Sequence, residues 1–297
     1  MATKRVLYAA LAGNVLVAAT KAVAAFVTGS SAMLSEAVHS FVDSGNQVLL
    51  LYGMRRAKRP PHAEHPLGHG REIYFWSFVV ALLIFALGAG VSMYEGILHI
   101  RHPEPITKPL VNYGVFALAF LFEGWSWRVA LVEFKKLKGS RGFIEQFERS
   151  KDPPSFMVLL EDSAALLGII IAAGATFLSV TLQRPALDGV ASVLIGLILA
   201  TVAMALARES KSLLIGEQAD PKLQRDIARI ADDVSSVHSV EVVLAQHLAP
   251  DQIIVALRLR FPDDLPAVQV GEQVKEIERR IQQEHPQVVA VFVRPRE

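Results

Sequence analysis

The sequence predicts an α-helical membrane protein with six transmembrane helices and a C-terminal α+β cytoplasmic domain. The first observation is composition: 52% of the 297 residues are hydrophobic and the mean hydropathy is +0.36, which is unusually apolar for a soluble protein. The second is that apolar runs of roughly 20 residues, the length that crosses a bilayer, recur as far as residue 207. The third is a change to shorter helix and strand patterns from Asp220 onward.

The six apolar runs are separated by turn-forming residues. Glycine, serine and proline stand between consecutive runs, as in Gly29-Ser30 and Pro153-Pro154. The N-terminus has a short basic start and no small-residue cleavage site, so it is predicted to be the first span and not a removed signal. The runs are 6–28, 31–54, 73–99, 109–132, 156–181 and 187–207.

Basic residues orient these spans. They concentrate at the N-terminus, in the second-to-third and fourth-to-fifth loops, and after the sixth run, whereas the alternate loops carry few. The positive-inside rule then places both termini in the cytoplasm, in agreement with an even number of spans. The basic residues on the cytoplasmic side are Lys4, Arg5, Arg55, Arg56, Lys58, Arg59, Arg71, Lys135, Lys136, Lys138, Arg141, Arg149, Lys151, Arg208 and Lys211.

The C-terminal part has the pattern of a small α+β domain. A helix over 220–235 precedes a β-branched strand over 237–248, and residues 252–261 alternate as a half-buried strand does. A helical repeat beginning at Val270 and a strand over 288–293 complete an αββαβ, ferredoxin-like order. We therefore divide the chain into a transmembrane domain, 1–210, and a cytoplasmic domain, 211–297. A domain of about 80 residues is small enough to be stabilised by pairing with a second copy.

Charge and cysteine content narrow the function classes. The net charge of +1 gives no indication of nucleic-acid binding. There are no cysteines, so any metal must be held by histidine, aspartate or glutamate. Nothing in the sequence indicates an enzyme cofactor.

The second apolar run carries a polar stripe. Glu36, His39 and Asp43 follow one another at helical spacing and therefore share one face, and Asn46 and Gln47 come next. Ionisable groups in hydrocarbon cost several kcal/mol each on insertion scales, so the stripe is expected to face a partner, a cavity or an ion. Imidazole and carboxylate at this spacing form half of a tetrahedral metal site.

The fifth run begins with two adjacent carboxylates, Glu161 and Asp162. Adjacent residues on a helix point about 100° apart, so the two cannot face one centre equally. Asp162 is predicted to be the inward residue, and with His39 and Asp43 it provides a histidine and carboxylate cluster within the membrane. Two interpretations stay open: an ion site, or a hydrogen-bond network that only holds the helices together.

Several segments together resemble the cation diffusion facilitator family of metal transporters, the solute-carrier 30 type. The second run is similar to that family's second helix with its HxxxD pair, and HPLGHGRE resembles its GHG loop. VLLEDSAALLGIIIAAG and PALDGVASVLIGLILA resemble its fifth and sixth helices, and the tail matches its cytoplasmic domain in order of elements. The LLED form of the fifth helix is most similar to the branch that contains the mitochondrial zinc transporter.

The resemblance implies a transport site made by His39 and Asp43 of the second helix and Asp162 of the fifth. The family's fourth ligand lies four residues before that aspartate, where this chain has Val158, which cannot bind metal. Glu161, then Glu36, then a water are the candidates to complete the shell. A carboxylate-rich site favours harder cations such as Mn²⁺ and Fe²⁺. Zn²⁺ is the family default, and Co²⁺ and Cd²⁺ are alternatives.

The loop between the second and third helices is a second candidate metal site. It contains His62, Glu64, His65 and His69, and the last two histidines match loop positions that bind zinc in some members of the family. The alternative is a solvated, turn-rich loop without metal, because a site needs several well-placed ligands.

The expected function is efflux of divalent metal cations, zinc first, exchanged for protons by alternating access. The expected partners are the lipid bilayer and a second copy of the chain, and the expected location is a prokaryotic cell membrane. Two rivals remain: a membrane-embedded metalloenzyme, which would need an open coordination position and a general base, and a non-transporting metal-binding scaffold. The sequence has no HExxH-type motif, which counts against the enzyme.

Overall fold

The protein divides into two compact units. The computed structural model describes residues 2–28, 31–103, 108–138, 151–234 and 237–296. One unit contains residues 1–59 and 72–211, and the other contains residues 60–71 and 212–297. The segment 60–71, which lies between the second and third helices in the chain, is thus grouped with the C-terminal unit.

The first unit is helical throughout its described residues. Within it α1 packs against α2 and α4, and α4 packs against α5. Apolar residues of α2, α3, α4, α5 and α6 meet α1 in one core, to which Leu7, Leu50, Val80, Phe134, Phe156 and Leu206 belong. The helices are α1 (Ala2–Thr28), α2 (Ser31–Ala57), α3 (Glu72–Arg101), α4 (Pro109–Lys138), α5 (Pro153–Thr181) and α6 (Ala186–Ile215).

Helices α3 and α6 approach each other with their backbones nearly touching. A Cβ atom at Gly96 would lie 2.7 Å from the carbonyl oxygen of Gly189, and one at Gly189 would lie 2.6 Å from the carbonyl oxygen of Gly96. Reciprocal glycines of this kind let two membrane helices pack closely. Helix α3 also contains a π-helical stretch, Ile84–Ala89.

Five of the helices in the described residues are long and apolar enough to cross a membrane: α1, α3, α4, α5 and α6. Helix α2 has 27 residues and occupies the second predicted span, but it is not one of these five. Its polar stripe and two terminal arginines lower its hydropathy. The structure therefore confirms a multi-helix membrane protein with five candidate spans among the described residues, and the sixth span stays a prediction.

The helices of the first unit are longer than the apolar runs that predicted them. Helix α6 continues to Ile215, and α4 continues to Lys138, although the apolar runs end at 207 and 132. Hydropathy locates the apolar part of a helix, whereas the backbone hydrogen bonds continue through polar residues that project beyond it.

The C-terminal unit has the predicted order helix, strand, strand, helix, strand. Its elements are α7 (Pro221–Asp232), β1 (Ser239–Ala249), β2 (Gln252–Arg260), α8 (Ala267–Glu284) and β3 (Val288–Arg296). In the residues described, the strands form one sheet in the order β1-β2-β3. The pair β1 and β2 is antiparallel, and β2 and β3 are parallel.

Alternation along β2 builds the core of this unit. Ile253, Val255, Leu257 and Leu259 are buried on one face, as the sequence pattern predicted. They pack with Ile277 and Ile281 of α8 and with Ile227 and Ile230 of α7. At the start of α7 the Asp220 side chain accepts a hydrogen bond from the Lys222 backbone N–H, which caps the helix.

Candidate functional site

Asp162 is buried inside the helical unit. Its side chain is 2% exposed, and its helix, α5, packs against α4. The hydroxyl of Ser126 in α4 donates a 2.6 Å hydrogen bond to Asp162 Oδ2. A contact this short between a hydroxyl and a carboxylate is charge-assisted, and it fixes the orientation of the acid.

Glu161 is held by amide side chains of α2. Gln47 Nε2 of α2 donates to Glu161 Oε2 at 3.1 Å, and Asn46 also forms a side-chain hydrogen bond with Glu161. Gln47 in turn accepts a 3.2 Å hydrogen bond from Asn14 Nδ2 of α1. A polar chain therefore connects α1, α2 and α5. Glu161, the first candidate to replace the ligand missing at Val158, already takes part in this chain.

Asp43 faces the same region from α2. It is half-buried and interacts electrostatically with Glu161 and with Glu123 of α4. Lys21 of α1 donates a 3.0 Å hydrogen bond to Ser40 Oγ, one turn before Asp43 in α2, and interacts electrostatically with Glu123. Four carboxylates and one ammonium group thus meet between α1, α2, α4 and α5.

Two predicted ligands cannot be placed. The backbone of α2 is helical at Glu36 and His39, so their helical spacing relative to Asp43 holds, but their side chains lie outside the described part of the structure. Val158 is 0% exposed and belongs to an apolar cluster with Leu50 and Leu206. The position where the family has a fourth ligand is therefore filled by hydrocarbon contacts in this chain.

Three loop histidines come together. His62, His65 and His69 each offer a ring nitrogen, and these atoms lie within 4.8 Å of one another. The Nε2 atoms of His62 and His69 are 3.0 Å apart, and the rings of His65 and His69 are stacked with centroids 4.4 Å apart. Tetrahedral zinc with Zn–N distances of about 2.0–2.1 Å needs nitrogens separated by slightly over 3 Å, so this geometry suits a metal.

Backbone hydrogen bonds shape the histidine loop. His62 and His65 exchange two backbone hydrogen bonds of 3.2 and 2.9 Å, and Gly68 adopts a φ of 77°, which favours glycine. Gly70 lies against the β1–β2 turn, where a Cβ would be 3.0 Å from the Leu248 carbonyl oxygen. His69 is buried, whereas His62 and His65 are exposed. Glu64 is not part of the cluster in the described residues.

Sequence reasoning missed part of the site on α4. Neither Glu123 nor Ser126 of α4 was predicted as a site residue. The two are three residues apart, so they share a face of α4, which is a signal that the sequence does contain. His62 was mentioned in the loop, but only His65 and His69 were predicted as its ligands.

The fold and the site define a class: a helical membrane protein that keeps charged side chains between its helices, as proteins that move ions do. The family model of the cation efflux transmembrane domain matches residues 7–215. The chain therefore belongs to the cation efflux family, the cation diffusion facilitators. The predicted family membership is confirmed.

Curated relatives agree with this assignment. The proton-coupled zinc antiporter SLC30A9, mitochondrial, of Xenopus laevis is 32% identical over 228 residues, which cover 76% of this chain and 41% of the relative. Metal tolerance protein C4 of Arabidopsis thaliana is 30% identical over 250 residues, covering 84% of this chain and 55% of the relative. The manganese efflux system protein MneP of Bacillus subtilis is 19% identical, covering 98% and 95%.

The lengths of these relatives differ. The chain spans about two fifths of the mitochondrial zinc antiporter of Xenopus laevis and just over half of the plant protein. It matches nearly the whole of the bacterial manganese efflux protein.

Proposed function

We propose that this protein is a divalent metal cation efflux transporter whose cargo site lies between α2 and α5. The observation that carries the proposal is the group of Asp43, Glu161 and Asp162, three carboxylates that α2 and α5 bring together among apolar helices. A divalent cation is the natural counter-ion for such a group. Membership of the cation efflux family supports a transporter over a membrane-embedded metalloenzyme.

The ligands follow from the geometry. Asp43 and Asp162 would contact the cation, together with His39 as the resemblance implies. Ser126 would hold Asp162 in place, and the amides of Gln47 and Asn46 would hold Glu161. Zinc is the first candidate cargo because relatives are named for zinc, and manganese is the second because MneP is named for manganese.

Proton exchange accompanies this chemistry. Imidazole and carboxylate ligands bind a metal in their deprotonated forms, so cation binding releases protons and protonation releases the cation. Rocking of the helices around the site would expose it to each side in turn. We expect zinc uptake into inside-out vesicles to collapse when the pH gradient is dissipated. Uptake that is unaffected by the gradient would contradict proton exchange while leaving cation transport intact.

The proposed membrane arrangement includes one helix, α2, in addition to the five apolar helices. We propose that α2 is the sixth span, that both termini face the cytoplasm, and that the protein resides in a prokaryotic cell membrane. The charge asymmetry of the loops supports the orientation. The match to nearly all of a bacterial relative supports the location.

The C-terminal unit is proposed to be a ferredoxin-like dimerisation domain. Its strand β3 is at the edge of the described sheet and exposes Val289 and Phe292. Exposed apolar residues on an edge strand are a surface that natural proteins usually cover. A second copy of the chain would cover it. The mass of the purified protein in detergent, measured by light scattering, tests this: a monomer would contradict it.

A second cation site is proposed at His62, His65 and His69. The convergence of three ring nitrogens favours it over a solvated loop. We expect the paired variant His62→Ala and His69→Ala to lose one bound Zn²⁺ per chain in equilibrium dialysis. His102→Ala, which removes an exposed histidine at the end of α3, is the control and should keep the full stoichiometry. Equal stoichiometry in both would contradict the loop site.

A further inference from the structure

Glu123 occupies a position where a buried carboxylate needs a partner. It is 7% exposed and sits in the middle of the buried stripe of α4 formed by Val115, Ala119, Glu123, Ser126 and Ala130. Among the side chains that the structure describes, none donates a hydrogen bond to its carboxylate. Buried carboxylates in folded proteins are almost always hydrogen-bonded, paired or bound to metal.

The neighbouring acids have protein donors, and Glu123 is different in this respect. Asp162 accepts from Ser126, and Glu161 accepts from Gln47. Glu123 interacts electrostatically with all three other carboxylates of the cluster: Asp43, Glu161 and Asp162. Like Glu161, it therefore lies within electrostatic range of every other acid in the group, but unlike Glu161 it accepts no hydrogen bond from a described side chain.

The side of α4 that carries Glu123 is directed at the site. Ser126 is on the same face, three residues further on, and its hydroxyl reaches Asp162 Oδ2 at 2.6 Å. Gly13 of α1 allows α4 to come close, because a Cβ there would already lie 3.4 Å from the Ser126 Cβ. The placement of Glu123 thus rests on the Ser126–Asp162 contact as well as on its electrostatic interactions.

The local charge identifies the kind of ligand. Lys21 is the one ammonium group that interacts electrostatically with Glu123 in the described residues. A site that attracts the ammonium group of a lysine side chain also suits a free cation. Four ionised carboxylates would carry more negative charge than one lysine neutralises. The missing ligand at Val158 leaves a coordination position to be filled from another helix.

We propose that Glu123 supplies the ligand to the transported divalent cation that Val158 cannot supply, so that the site draws on α4 as well as on α2 and α5. This inference rests on the proposed transport site. It replaces Glu161 and Glu36 as the residues that complete the coordination shell. It also makes the site richer in oxygen, which favours hard divalent cations.

The test is titration of the full-length protein in detergent with Co²⁺, whose d–d absorption reports the ligands around the metal. The part of the Co²⁺ absorption that is lost in the Asp162→Asn variant belongs to the internal site. At that site we expect Glu123→Gln to weaken Co²⁺ binding at least tenfold and to change the absorption bands. Glu133→Gln is the matched control: Glu133 is also buried in α4, but it pairs with Lys136 at 2.9 Å and not with the cluster.

The outcomes separate the two proposals. If Asp162→Asn removes a Co²⁺ signal while Glu123→Gln leaves affinity and bands like those of wild type, the role of Glu123 is wrong and the transport site stands. If Asp162→Asn removes no signal, the transport site itself is wrong. If the Glu123→Gln variant does not fold, the same Co²⁺ titration is done with Glu123→Asp. Its carboxylate is withdrawn by one methylene, so an unchanged Co²⁺ affinity would overturn the proposal.

Discussion

Ser126 and Asp162, which are 36 residues apart in the chain, are joined by the 2.6 Å hydrogen bond that links α4 to α5. Both side chains are almost completely buried. The hydroxyl donates its hydrogen to Oδ2, so one oxygen of Asp162 has a fixed direction. A ligand that is oriented in this way loses less freedom when it binds a cation.

Removing the hydroxyl should weaken the site without removing a ligand. We expect Ser126→Ala to raise the Kd for Zn²⁺ about 10–100-fold, the usual effect of losing an outer-shell hydrogen bond to a metal ligand. The measurement is calorimetric titration of the full chain. Ser77→Ala is the control, because Ser77 is also buried in a helix and its hydroxyl has no hydrogen-bond partner in the described residues. Equal affinity in both variants would show that Ser126 does not orient Asp162.

The position of Gly70 predicts a second effect, on the histidine loop. In Gly70→Ala the new Cβ would press on the Leu248 carbonyl oxygen and the Ala249 Cβ, both at 3.0 Å, and the loop has to move. Overpacking of this kind costs about 1–3 kcal/mol. We expect the hydrogen-exchange protection of the His62 and His65 amides to fall by about 5–150-fold, following that energy.

Gly271 provides the contrast for this experiment. It lies in α8, and a Cβ there would meet nothing within 4 Å. Gly271→Ala should therefore stabilise the helix by about 0.5–1 kcal/mol and leave the loop amides protected. Loop protection that survives Gly70→Ala would contradict the packing of the loop against the β1–β2 turn.

Glu276 on α8 predicts that part of the protein's stability depends on pH. Hydrogen bonds from Arg279 and Arg280 lower the pKa of Glu276 from 4.5 to about 2. A folded-state pKa below the unfolded one stabilises the folded protein above pH about 4.5, and the gain is lost as the pH falls towards 2. We expect Glu276→Gln to lower the melting temperature slightly at pH 6, and the difference from wild type to shrink as the pH approaches 3.

The effect at Glu276 should be small, because the carboxylate is exposed and surface ion pairs contribute little. Glu278→Gln on the same helix is the matched control. No ion pair of Glu278 is seen in the described residues, so its variant should differ from wild type equally at both pH values. A pH-independent effect of Glu276→Gln would contradict the shifted pKa.

Patterns along the chain predicted the fold well. Apolar length located the helices of the first unit, and alternation located β2 with its buried face. These signals work because burial in lipid or in a core depends on residues that are near in sequence. The prediction was wrong at helix ends such as Ile215, where hydrogen bonding continues beyond the apolar segment. The span at α2 stays a prediction, because its polar stripe lowers its hydropathy.

The site was only partly predictable for a physical reason. Asp43 and Asp162 stand out because charge in an apolar run is expensive wherever it occurs. The partners Ser126 and Asn14 do not stand out, since neutral polar residues are common in membrane helices. Which of them meet depends on how α1, α2, α4 and α5 pack, and no spacing within one helix contains that information. The loop histidines were visible as a group, but their convergence depends on the backbone pairing of His62 with His65.

The most direct test of the central claim is Zn²⁺ flux into proteoliposomes that contain only this protein. The account predicts that wild type and Glu133→Gln transport Zn²⁺ faster than empty liposomes, while Asp43→Ala and Asp162→Ala transport at the empty-liposome rate. Circular dichroism should show the helix content of all four proteins to be alike. Wild-type flux in either aspartate variant, or no cation flux in any protein, would contradict the account.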